Sequence, residues 1–200
     1  MIQNKKDYLY YLEADRIALG VTRKKPHFIS IWEVDVIWKF QRLLRKTEYL
    51  HNCKASGIYK IYYKWTQYRL FRAQVKTGMN IPMNVFGPGM SIAHLGPIVI
   101  NGFATIGKNC RVHPFTTIGI DGRTGKVAKV GDNVYLSNGC KLIGDIEIAD
   151  GVVIAAGAVV TKSVKEENVV VGGGAGKGNF LFGQSVSGRA QRRRHSEGVV

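Results

Sequence analysis

From residue 100 onward, aliphatic residues recur every sixth position. Ile100, Ile106, Val112 and Ile118 are followed, after one break, by Val130, Leu136, Leu142, Ile148, Ile154 and Val160. Four residues after most of them stands a second small or apolar residue: Ala104, Cys110 and Thr116, then Val134, Cys140, Ile146, Val152, Ala158 and Val164. A period of six fits neither an amphipathic helix nor an alternating strand. It predicts a triangular coil in which each side is a short strand plus a turn. The aliphatic residue points inward and the residue four places on fills a corner. Asp132-Asn133, Asn138-Gly139 and Asp150-Gly151 supply tight turns. Stacked coils pair each strand with the next and bury one continuous aliphatic column.

The period breaks between Ile118 and Val130, where the Gly-rich, basic stretch 120–129 replaces one side. Such a stretch cannot line the prism, so an outward loop is expected there. Loops on a rigid scaffold often carry function.

Ahead of the coil, residues 5–19 and about 31–76 read as helical. Ser30 is placed to cap a helix carrying Ile31, Val34, Ile37, Trp38, Gln41 and Leu44 at helical spacing. Ser56 and Gly78 bracket a further helix whose stripe Ile58, Ile61, Trp65, Tyr68 and Val75 is expected to pack on the first coils. Its aromatic and basic content also suits a membrane surface or a nucleic acid.

Charge separates these parts. The chain carries a net +15, and residues 1–78 hold 16 Lys/Arg against 6 Asp/Glu. Residues 79–176 hold 8 against 7, and the tail from 177 holds 5 against 1. The expected organisation is a helical segment 1–78, a coil domain 79–177 and a basic, disordered tail 178–200. No apolar run is long enough to span a bilayer, and the polar start Met1-Ile2-Gln3-Asn4-Lys5-Lys6 lacks the apolar run of a signal peptide. A cytoplasmic location is therefore expected. Cys53, Cys110 and Cys140 are widely spaced, which argues against a disulfide framework or a metal site.

With the repeats in view, Asn80-Ile81-Pro82, Ile92-Ala93-His94 and Ile118-Gly119 resemble the hexapeptide-repeat acyltransferases, in particular the serine O-acetyltransferase group. The resemblance covers about residues 79–177 and is weaker over the helices. It implies a mainly β fold, a left-handed parallel β-helix with a short N-terminal α-helical segment. It also implies a homotrimer or trimer-based oligomer with active sites between neighbouring prisms. Acetyl-CoA is the implied cosubstrate, and no metal is expected. His94 falls at the family's general base, which takes the proton of an attacking hydroxyl. Asn80 aligns with the aspartate that orients that base. Main-chain groups at Gly119, Ile120, Asn138 and Ala156 map to the acetyl-CoA site, together with Lys177. There Gly174-Ala175-Gly176-Lys177 stands for the family's Asn-Pro-Ala-Arg/Lys. Lys126 and Lys129 are further phosphate candidates.

Departures from the serine enzymes bear on the acceptor. The aspartate before their histidine, which contacts serine, is Ala93 here, and a loop histidine at the serine site aligns near Val127. Asp15 is a candidate replacement in the acceptor site. These losses favour the hydroxyl of a sugar or polysaccharide precursor, with serine O-acetylation as the alternative. His113, just after inward Val112, is the rival base. An alternative of another class is a non-enzymatic β-helix that binds anionic surfaces or nucleic acid. A peripheral membrane contact is compatible with the enzyme readings, whereas a nucleic-acid partner is not expected with them.

Overall fold

The computed structural model describes residues 1–54 and 56–172. Lys177 and the basic tail lie outside the described residues. Three helices come first: α1 (Lys5–Ala18), α2 (Glu33–Cys53) and α3 (Ile58–Thr77). Asn4 caps α1 by accepting from the Asp7 N–H. The N-cap of α2 is Trp32, without a side-chain cap, rather than the expected Ser30. Gly78 ends α3 in the left-handed conformation at φ 75°, which a glycine adopts without steric cost.

The remainder is parallel sheet arranged on three faces. The first face holds β1 (Met79–Asn80), β3 (Ile98–Ile100), β6 (Thr117–Gly119), β9 (Lys141–Ile143) and β12 (Val159–Val160). The second holds β4 (Thr105–Ile106), β7 (Lys129–Val130) and β10 (Glu147–Ile148). The third holds β2 (Ser91–Ile92), β5 (Arg111–Val112), β8 (Tyr135–Leu136), β11 (Val153–Ile154) and β13 (Val170–Val171). From β3 to β12 the chain visits the faces in strict rotation. Each strand therefore pairs with the one three places on.

All ten inward aliphatic positions are buried, from Ile100 to Val160. Cys110 and Cys140 fill corners and are fully buried, and burial pushes the Cys110 thiol up to about 12. A neutral, enclosed thiol of this kind packs rather than reacts. Pairing distance records the loop. Tyr135 pairs with Val153, eighteen residues on, but Arg111 pairs with Tyr135, twenty-four on. The excess is one side of the prism. The excursion is narrower than expected, because Val127 and Ala128 turn back inward and are buried. A hairpin closes it: Asp121 N–H donates to Lys126 O at 2.9 Å, and Ile120 bridges Val127.

Side chains of α1 and α2 hold the entry to the coil. Arg45 is fully buried and uses all five of its N–H groups. It donates to Asp15 Oδ2 at 2.8 Å, Asp15 Oδ1 at 3.2 Å, Glu48 Oε2 at 3.1 Å, Phe86 O at 2.9 Å and Gly87 O at 2.6 Å. Asp15 accepts in turn from the Gly89 and Met90 N–H groups, and Glu48 from Asn84 N–H. Gln41 donates to Met90 O at 2.7 Å. The apolar core continues from Ile37, Phe40 and Leu44 of α2 into the aliphatic column. Among the described residues no helix is long and apolar enough to cross a membrane.

Burial alone would lower the Arg45 pKa, but Asp15 and Glu48 outweigh it and raise it. Removing the guanidinium leaves two carboxylates buried without their counter-ion. Arg45→Met is expected to cost ~3–5 kcal/mol of stability, the usual penalty for stranding a buried ionic partner. Urea denaturation measures this, and a loss under about 1 kcal/mol would show that the network contributes little.

Candidate active site

His94 lies on the corner between β2 and β3, which is wider than the same corner in later coils. Eight residues separate inward Ile92 from inward Ile100, where Val112 to Ile118, Leu136 to Leu142 and Ile154 to Val160 take six. Ser91 therefore pairs with Arg111 at an offset of twenty instead of eighteen. The extra chain lets Ala93-His94-Leu95-Gly96-Pro97 stand away from the prism. Gly96 is needed within it, since its φ is 147° and an added Cβ would come within 2.9 Å of Pro114 Cβ. The imidazole is 62% exposed and hence open to a reactant, not enclosed in the prism.

The group that meets the ring comes from the helices. Glu33, first residue of α2, sets Oε2 3.2 Å from His94 Nδ1 and accepts the Leu95 N–H on Oε1 at 2.5 Å. One carboxylate thus holds both the ring and the backbone of the widened corner. The Leu95 N–H foremost, then His94, keep the Glu33 carboxyl below the usual carboxylate range, against an opposing effect of burial. A carboxylate can only accept, so it selects the tautomer with the proton on Nδ1 and leaves the Nε2 lone pair free.

Asn80, the expected orienting residue, lies exposed on β1 opposite Val99, and the ring's hydrogen-bond partner is Glu33 instead. Sequence reasoning missed Glu33 because the contact spans sixty-one residues. The local signal was an acidic residue at the start of α2, which ordinarily reads as a partner of the helix dipole.

Asp15 does not reach a solvent-accessible site. It is fully buried, with its oxygens taken by Arg45 and two backbone N–H groups, so its expected contact with an acceptor is corrected to a structural one. Ala93 is half-buried beside the histidine, its N–H bonded to Val112 O. His113 sits one coil on, with its ring 6.1 Å from that of His94 and 4.9 Å from Tyr135. Its Nε2 is buried without a hydrogen-bond partner. Burial first, then the charge of Arg111, lowers the His113 pKa and keeps the ring neutral near pH 7.

The residues assigned to acetyl-CoA frame the first face. Asn138 and Ala156 occupy the His94 corner in later coils, stacked through Gly157 N–H to Asn138 O at 2.9 Å. Gly119 and Ile120 lie at the opposite edge, where β6 ends. An added Cβ at Gly157 would meet nothing within 4 Å, so the backbone is uncovered at that point of the corner. Lys126 and Lys129 are already paired, with Asp145 at 2.7 Å and Glu147 at 3.2 Å.

Comparison with known proteins agrees with this architecture. The family model described as bacterial transferase hexapeptide (six repeats) matches residues 128–162. A serine acetyltransferase of Mycobacterium tuberculosis is 35% identical over 102 residues, covering 50% of this chain and 44% of that protein. One from Staphylococcus aureus (strain Mu50) is 36% identical over 99 residues, 48% of this chain and 46% of its own. The chain thus spans less than half the length of these curated relatives. Among solved structures, serine acetyltransferase from Brucella abortus in complex with coenzyme A superposes with a TM-score of 0.65 at 21% identity, over 85% of this chain and 66% of that one. The soybean apoenzyme gives 0.66 at 20%, over 86% and 68%. Residues 128–162 thus match the bacterial transferase hexapeptide model, and the likeness to serine acetyltransferases holds in sequence over about half of the chain and in fold over most of its length.

Proposed function

We propose that this chain is an acetyl-CoA-dependent O-acetyltransferase in which His94 is the general base and Glu33 its positioning residue. The observation that carries the proposal is the exposed imidazole, tied through Nδ1 to Glu33, at the corner shared with Asn138 and Ala156. An acceptor hydroxyl gives its proton to Nε2 as its oxygen attacks the thioester carbonyl. The C–S bond then breaks, and the thiolate recovers that proton from the imidazolium. Glu33 stabilises the transient cation by charge, which an amide could not do. The likeness of fold supports a left-handed coil, and a homotrimer with sites between prisms belongs to the same reading.

For the acceptor, the relatives' names favour L-serine, and the sugar acceptor expected from sequence finds no support among them. Ala93 beside the base keeps the sugar hydroxyl as a second reading, since a methyl cannot grip a zwitterion. Acetyl-CoA consumption with L-serine and with a panel of sugars distinguishes them. Serine turnover is expected to dominate. Turnover of a sugar alone would overturn the serine reading and leave the base chemistry standing. No thioester cleavage with any hydroxyl acceptor would overturn the enzyme.

His94→Ala is expected to lower kcat about 10²–10⁴-fold while coenzyme A binding persists. Comparable loss from His113→Ala, with His94→Ala active, would reverse the assignment. Glu33→Ala is expected to lower kcat with KM for acetyl-CoA unchanged, and Glu33→Gln to restore part of it, because the amide oxygen still accepts from the ring and the Leu95 N–H. Equal loss in both variants would show that charge alone matters.

The depressed Glu33 pKa also fixes a pH response. Its contacts contribute above the ordinary carboxylate range, about pH 4.3, and are lost as pH falls through the lower folded value. In a carboxyl-observed NMR titration the Glu33 midpoint is expected below that range and higher in His94→Ala. An unchanged midpoint in that variant would mean that the imidazole is not its partner.

A further inference from the structure

The stripe of α3 expected to pack on the coil faces outward instead. Tyr63, Thr66 and Leu70 are the buried residues of this helix, whereas Ile58 and Ile61 are 78% and 74% exposed and Trp65 is 50% exposed. The segment leading into α2 is equally bare: Phe28, Ile29, Ile31 and Trp32 are all exposed, Phe28 by 97%. Between them lies an open cleft of about 1070 Å³ bounded by α2, α3 and residues 25–30. Its lining includes Lys39, Arg42, Lys46, Arg69, Arg72 and Lys76, and no Asp or Glu.

The absence of acid there follows from where the helical segment uses its carboxylates. All six acidic residues of 1–78 are engaged elsewhere. Asp7 bonds the cap residue Asn4, Glu13 pairs with Arg16, Asp15 and Glu48 hold Arg45, Glu33 holds His94, and Asp35 pairs with Arg23. The cleft cations contact carbonyls and rings instead. Lys39 donates to Phe28 O, Lys46 lies over Tyr8, Tyr49 and Tyr62, and Arg69 over Trp65. Among the described residues, none of the six pairs with a carboxylate.

We propose that this face docks on an anionic lipid bilayer, with α3 and residues 28–32 seating apolar side chains at the interface and the cleft receiving lipid phosphates. Both halves of the surface are then matched: aliphatic and aromatic groups enter the acyl boundary, and Lys and Arg meet negative headgroups. A second copy related by a two-fold axis is a poorer occupant, because that contact sets one basic cleft against another. A nucleic acid would satisfy the cations and rings but leave Ile29, Ile31, Ile58, Ile61 and Val75 without a partner. Trp32 is the N-cap of α2 and directly precedes Glu33, so a docked face adjoins in sequence the residue that holds His94.

Co-sedimentation of the full chain with vesicles of phosphatidylcholine, and of phosphatidylcholine mixed with phosphatidylglycerol, tests this. Binding is expected only to the mixed vesicles, with a blue shift of tryptophan emission from Trp32 and Trp65. Arg69→Gln with Arg72→Gln is expected to weaken binding by about fivefold for each charge. Ile61→Ser with Trp65→Ser is expected to weaken it severalfold at unchanged circular dichroism, since both side chains are exposed. Arg192→Gln with Arg193→Gln and Arg194→Gln is the control for the basic tail and is expected to retain most of the affinity. Equal binding to both vesicles would overturn the proposal. So would full affinity in the Ile61/Trp65 variant, which would mark a surface for soluble polyanions. A change of oligomeric mass in that variant, measured by light scattering, would assign the face to contact between copies.

Discussion

One guanidinium decides where the helices stand relative to the coil. The β-coil is rigid by repetition, since every strand is braced by the next, but its first turns have nothing beneath them. Arg45 supplies that floor. Its donors reach the backbone of Phe86 and Gly87 and the carboxylates of α1 and α2, while Asp15 passes on to Gly89 and Met90. Such a network works only when complete, because each member is buried and an unpaired charge there is costly. It therefore selects one placement of α2, and Glu33 at its start is carried to His94 by the same constraint. The carboxylate that holds the imidazole depends on a clamp farther along the same helix.

The part of the fold that repeats was legible, because period and burial follow from the same geometry. Every inward aliphatic position from Ile100 to Val160 was assigned correctly from spacing, and so were the two corner cysteines. The loop was legible as a break in the period, although Ala128 was counted outside. It fills the corner between Ala104 and Ile146, and the insertion before it hides that register. Periodicity says less about a helix. The spacing of Ile58, Ile61, Trp65, Tyr68 and Val75 identifies a stripe on α3 but not which side the protein covers. Here the covered side is the less apolar one, chosen by contact of Tyr63 and Leu70 with the rest of the molecule.

The site was half legible for a similar reason. His94 was legible only through the resemblance, as the histidine of Ile92-Ala93-His94 that falls at the family's general base. Its partner was not, because a contact between residues 33 and 94 leaves no trace in local pattern. Asn80 was the expected partner by alignment, and Glu33 takes the role from another element. Asp15 shows the converse error: an acidic residue offered as a replacement in the acceptor site reads as a ligand contact until its burial is known.

Glu33 explains why the corner can be both widened and held. Two extra residues give the imidazole exposure, and they would also give it freedom, which the proposed base chemistry would not tolerate. Glu33 removes that freedom twice over, bonding the ring and the peptide N–H of the next residue. On the proposed reading the helical segment belongs to the active site rather than being an appendage, since it is α2 that brings the Glu33 carboxylate to that ring.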